Sequence, residues 1–124
     1  MKIFSKVFKI SAFLIFSLAC LTSCSSNTQE SEEVLKVGME CSYAPFNWIQ
    51  PTDKNGAVKI SDGWYACGYD VYIAKEISQR LGKKLEVVKI DWDGLLPALT
   101  SGKIDSIIAG MSATESRKEA IDFT

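Results

Sequence analysis

The 124-residue chain contains no histidine. Imidazole-based triads and histidine-ligated zinc sites are therefore excluded, and a metal centre is not expected. It also lacks a basic excess: 14 Lys and Arg stand against 15 Asp and Glu. A nucleic-acid surface needs a basic stripe, so no nucleic-acid partner is expected. No acidic residue occurs before Glu30. The longest apolar stretch, Ile10 to Leu21, is short of the ~20 residues a membrane helix requires. Cysteine is scarce in the body of the chain. Of four, Cys20 and Cys24 lie near the start, which leaves only Cys41 and Cys67 for a disulfide framework. No internal repeat is present.

The start of the chain carries a compartment signal. Lys2, Lys6 and Lys9 precede the Ile10 to Leu21 stretch, the charge-then-apolar layout of a secretory leader. It ends in Leu21-Thr22-Ser23-Cys24, which resembles the bacterial lipobox. That resemblance implies a leader over 1–23, cleavage before Cys24, and lipid on Cys24. Cys20 fits less well, because Ser17 stands where an aliphatic residue is expected; the alternative is an ordinary leader with incidental cysteines. Residues 24–33 offer nothing apolar to bury and read as a polar tether. Without Lys2, Lys6 and Lys9, 11 basic residues face 15 acidic ones, so the mature part is near −4. Residues 34–124 make one small domain.

The order of elements in that domain places three loops together. Val34 to Met39 alternates, with Leu35, Val37 and Met39 on one side, as a strand does. A polar segment with Pro45, Pro51 and Asn55-Gly56 follows, and a strand pair is expected on either side of Asn55-Gly56. Asp70 is expected to cap a helix over 71–81 with Val71, Ala74, Ile77 and Leu81 as its apolar stripe and Gly82 as its stop. Leu85 to Ile90 is the next strand. Asp91 to Gly94 reads as a loop, and Leu95 to Ser101 as a helix with Pro97 near its first turn and Gly102 after it. Ile104 to Ala109 is the third strand.

Strand, helix, strand, helix, strand predicts a parallel sheet in an α/β fold. Ligands of such sheets sit beyond the carboxyl ends of the strands. Here those ends carry Tyr43, Trp92 and the loop from Gly110 to Arg117. Ser112 and Thr114 bring hydroxyls, a helix over 115–121 brings its N-terminal N–H groups, and Arg117 brings a planar cationic fork suited to a carboxylate. The plainer alternative is a capped surface helix, with Thr114 as N-cap and Arg117 in solvent. The aromatics have alternatives too: Trp92 covering the core, Tyr43 packing on Pro45 and Phe46. By the same topology, Cys41 and Cys67 fall at one sheet edge and form a candidate disulfide; two thiols, with Cys41 beside the pocket, are the alternative.

Five collinear stretches carry a family resemblance: Tyr43-Ala44-Pro45-Phe46, Gly68-Tyr69-Asp70-Val71, Asp91 to Leu99, Ser101 to Asp105, and Gly110 to Thr114 with Arg117, Lys118 and then Asp122-Phe123. Over Val34 to Thr124 the chain resembles the first part of bacterial extracellular solute-binding proteins of polar amino-acid ABC transporters. The resemblance implies a periplasmic-binding-protein-like (type II) lobe with a parallel βαβ core. It implies a free amino acid as ligand, permease and ATPase subunits as partners, no cofactor, and an extracytoplasmic location with a lipid anchor in the cell membrane. It also assigns roles. Arg117 takes the α-carboxylate with help from the Ser112 N–H. The Gly110 carbonyl and Ser112 hydroxyl take the α-ammonium. Tyr43 and Trp92 flank the side chain, and Glu40 meets a polar or cationic one.

Two departures accompany the resemblance. Gln50 to Ala66 is longer and more polar than the family's short hairpin. The family also continues into a second lobe that follows the region matched here, so the chain is expected to be incomplete. Two rival readings share the fold: a sensor module, and a dehydratase-like enzyme with Glu40 or Asp91 as acid.

Overall fold

The computed structural model describes residues 32–60 and 63–124. The leader, Cys20, Cys24 and most of the tether lie outside the described residues.

Strand β1 (Val34–Met39) runs through the centre of a parallel sheet, between β6 (Lys84–Lys89) and the short β7 (Ser106–Ile107). The register pairs Met39 with Lys89 and Gly38 with Ile107. Leu35, Val37 and Met39 are buried, so the period-two reading of β1 holds. Helix α1 (Tyr69–Arg80) packs on β6, and α2 (Trp92–Thr100) packs on β1 and β7. Val37, Met39, Val71, Leu95 and Ile104 are almost fully enclosed. Each contributes about 1.5–3 kcal/mol by leaving water.

A second, antiparallel sheet sits between β1 and α1 in the chain. It is built from β2 (Ser42–Tyr43), β3 (Asn47–Gln50), β4 (Val58–Lys59) and β5 (Tyr65–Cys67), in the order β2-β3-β5-β4. The expected pairing across Asn55-Gly56 is not made. Lys54–Gly56 form a single 3-10 turn, and β3 and β4 both pair with β5 instead. Hydrophobic pattern could not reveal this, because the strands are two to four residues long.

Several boundaries also differ from expectation. Asp70 is not the cap of α1. Gly68 holds that position, and Asp70 lies buried in the first turn. The buried face of α1 is Asp70, Val71, Ala74 and Ser78, whereas Ile77 and Leu81 are exposed. Asp91 to Gly94 is not a loop: α2 starts at Trp92, and Pro97 lies inside it rather than in its first turn. The third strand shrinks to Ser106–Ile107, although Ile104 and Ala109 beside it are buried as the apolar run suggests. Helix α3 covers only Glu115–Lys118, so its dipole is smaller than a 115–121 helix would carry. Gly82 and Gly102 follow α1 and α2 with positive φ, as expected of helix stops.

Cys41 and Cys67 are buried, and no disulfide joins them. Strand β3 lies between them, since Trp48 pairs with both Ser42 and Cys67. Two strand spacings are roughly 10 Å. A disulfide tolerates Cα separations only up to ~7 Å.

Candidate ligand site

The parallel register brings the expected loops to one edge. The Ile90 N–H donates to the Met39 carbonyl, and the Ile108 N–H to the Gly38 carbonyl. The residues that follow, Glu40, Asp91-Trp92 and Gly110, therefore leave the sheet at its carboxyl edge. Glu40 is half-buried there.

The first wall is aromatic. After Glu40, Cys41 turns the chain with φ 59°, and β2 leads into a turn closed by Phe46 N–H donating to the Tyr43 carbonyl at 2.9 Å. The start of α1 holds this turn from behind: Tyr69 N–H donates to Pro45 O and Asp70 N–H to Phe46 O. Those helix-start amides therefore serve the protein's own turn. Tyr43 stacks on Phe46 with ring centroids 5.0 Å apart, as the packing alternative proposed. It also reaches the third loop, because a Cβ placed on Gly110 would lie 3.3 Å from its ring. Tyr43 stays 49% exposed, so much of the ring remains available.

The second wall is cationic. Thr114 is the N-cap of α3, and its Oγ1 accepts from the Arg117 N–H at 3.4 Å. That much of the plainer alternative is observed. Arg117 itself does not stand in open solvent. Its Nη1 donates to the Ser112 carbonyl at 2.9 Å, and its guanidinium lies 5.2 Å from the Trp92 ring centroid. Trp92 is half-buried and packs against the core while carrying this cation. A guanidinium has five N–H donors in a planar fork. The cation–π attraction to Trp92 and the bond to the Ser112 carbonyl hold the guanidinium, and its other N–H donors can serve an anion. Ser112 and Thr114 are exposed beside it. The rim thus unites Trp92, Ser112, Thr114 and Arg117 in one contact set, and Tyr43, Phe46 and Gly110 in another.

Phe46, Asn47 and Asp70 were not singled out from sequence as site residues. Phe46 belongs to the Pro-Phe turn, which was the available signal. Asn47 carries no local signal, since its role depends on partners elsewhere in the chain. A groove of about 510 Å³ along β7 is lined by Ile73, Ile77, Leu99, Ile107, Met111 and Phe123 among others. Of the expected ligand residues it includes only Gly110. Among the described residues there is no cluster of metal-ligating side chains, and no helix is long and apolar enough to cross a membrane.

The α/β lobe thus gathers a cationic fork, hydroxyls and aromatic rings at the carboxyl edge of its sheet. The chain belongs to the bacterial extracellular solute-binding proteins, family 3, matched over residues 35–124. It is 35% identical to the "Probable histidine-binding protein" of Campylobacter jejuni, over 100% of this chain and 45% of that protein. It is 38% identical to a "Probable ABC transporter arginine-binding protein" of Chlamydia trachomatis, over 82% of this chain and 36% of that protein. The chain thus spans less than half the length of these relatives. Among solved structures, an ancestral arginine-binding protein bound to arginine matches with a TM-score of 0.61 at 41% identity, over 75% of this chain and 36% of that one. The arginine-bound form of domain 1 from TmArgBP matches with a TM-score of 0.57 at 41% identity, over 69% of this chain and 60% of that one.

Proposed function

We propose that the chain is the ligand-capturing lobe of an amino-acid-binding component of an ABC transporter. It takes a free amino acid outside the cytoplasm and delivers it to permease subunits driven by an ATPase. The observation that carries this reading is Arg117, held over Trp92 beside Ser112 and Thr114 at the carboxyl edge of the sheet. Arg117 pairs with the ligand carboxylate, the Ser112 N–H assists, and the Gly110 carbonyl and Ser112 hydroxyl meet the ammonium. Tyr43 and Trp92 cover the ligand side chain. Glu40 at the end of β1 favours a cationic side chain, and arginine is the first ligand to test. Relatives described as binding arginine support that choice. An arginine-bound single domain among the matches supports the idea that one lobe supplies a large share of the contacts.

Trp92 is the reporter of this event. With Trp48 and Trp64 replaced by Phe, saturating arginine is expected to change the remaining Trp92 emission, because the ligand alters the polar contacts over the ring. Unchanged emission, with binding shown by calorimetry, would place Trp92 outside the site.

The same reading makes Cys24 the mature, lipid-bearing N-terminus, anchoring the protein on the outer face or periplasmic side of the cell membrane. One acyl chain holds only marginally, so more than one is expected. Mass spectrometry of the mature terminus should show lipid on Cys24. An unlipidated terminus at another residue would contradict it.

A further inference from the structure

We infer that Asn47 and Asp70 are positioning residues for the ligand rim, acting through the backbone of Cys41. The inference rests on the reading of Glu40 and Tyr43 as ligand residues. Cys41 has φ 59°, in the left-handed region that a residue with a Cβ rarely occupies. Such conformations persist only when the surroundings over-determine them, and they cluster where a site must be shaped. Cys41 lies between Glu40 and the Ser42-Tyr43 strand, so its torsion sets how the chain passes from the parallel sheet to the aromatic wall.

A buried polar chain holds that torsion. The Cys41 N–H donates to Asn47 Oδ1 at 2.8 Å, and Asn47 Nδ2 donates to Asp70 Oδ2 at 2.7 Å. Asn47 is 0% exposed and Asp70 4% exposed. Sequestered groups of this kind gain little as general stabilisers, because their desolvation offsets much of the hydrogen-bond energy. Their yield is geometric: they fix the amide orientation of Asn47, and Asn47 fixes the turn. Asp70 is anchored in turn by helix α1, whose amides also bind the Pro45 and Phe46 carbonyls. One helix start thus sets both ends of the Cys41 to Phe46 segment, and with it Tyr43 against Gly110.

The test compares Asn47→Ala, Asp70→Asn and the double variant Asn47→Ala/Cys41→Gly with the unaltered protein, using two readouts. Amide hydrogen exchange needs no ligand. Asn47→Ala is expected to speed exchange at Cys41, Ser42, Tyr43, Ala44 and Phe46 by on the order of tenfold or more. Protection in β1 and β6 should remain. Calorimetry with arginine is then expected to show a loss of similar size. The added Cys41→Gly should recover part of it, because glycine adopts positive φ without a Cβ penalty. Asp70→Asn, which keeps an acceptor for Asn47, should fall between. Unchanged exchange at Cys41 in Asn47→Ala would overturn the inference. So would loss of protection throughout β1 and β6 with no recovery from glycine, since that marks a purely structural role. Failure of the unaltered protein to bind arginine would count against the proposed ligand, while the exchange data still decide the positioning role.

Discussion

Replacing Arg117 with alanine is expected to weaken amino-acid binding by on the order of 2–5 kcal/mol, the cost of removing one partner of a desolvated charge pair. The thermal midpoint should move little. Arg117 sits on a one-turn helix, and its stacking on Trp92 contributes only about 0.5–1 kcal/mol at an accessible site. Arg117→Lys should also lose affinity. An ammonium keeps the charge but lacks the planar fork that matches a carboxylate. The two substitutions together separate charge from geometry. Calorimetry of both variants against arginine checks this, and near-normal affinity in both would remove Arg117 from the site.

Gly68→Ala is expected to destabilise the fold by roughly 2–4 kcal/mol, combining a strained torsion with overpacking. Gly68 has φ 126° at the N-cap of α1, and a Cβ there would collide with the Phe46 carbonyl and crowd the Trp48 ring at 2.9 Å. The carbonyl is backbone and already accepts the Asp70 N–H, so it has little room to withdraw. The prediction reaches function as well as stability, since this is where α1 grips the turn that carries Tyr43. Denaturant unfolding of the variant measures the loss. A midpoint within error of the unaltered protein would show that the turn and the helix start separate freely.

The central sheet was legible because β1 and β6 are six residues long each, and an apolar run marks the place of the short third strand. β1 alternates over six residues, and the strand–helix order then assigns one edge to the segments that carry Tyr43, Trp92 and Arg117. The antiparallel sheet was not legible, because its strands pair across chain segments that no local rule connects. Pro97 hid the true start of α2: a proline suits a first helical turn, yet the helix begins at Trp92, five residues earlier. Asp70 misled for a related reason. An aspartate before an apolar run has the pattern of a cap, but its carboxylate is committed to Asn47, 23 residues away. For Arg117 the plainer reading was right about the cap, Thr114, whereas the guanidinium lies against Trp92 and the Ser112 carbonyl instead of in open solvent. Topology indicated that Trp92 and Arg117 share an edge, but their direct contact across the start of α2 and α3 needed the folded structure.

This lobe is proposed to capture an amino acid through its carboxylate while its acidic and aromatic groups read a cationic side chain. Titration calorimetry of the protein with arginine, and with agmatine, which keeps the guanidinium but lacks the carboxylate, tests it most directly. Arginine is expected to bind and agmatine to bind far more weakly, with the difference lost in Arg117→Ala. Equal affinity for the two, or no heat with arginine, would contradict the claim.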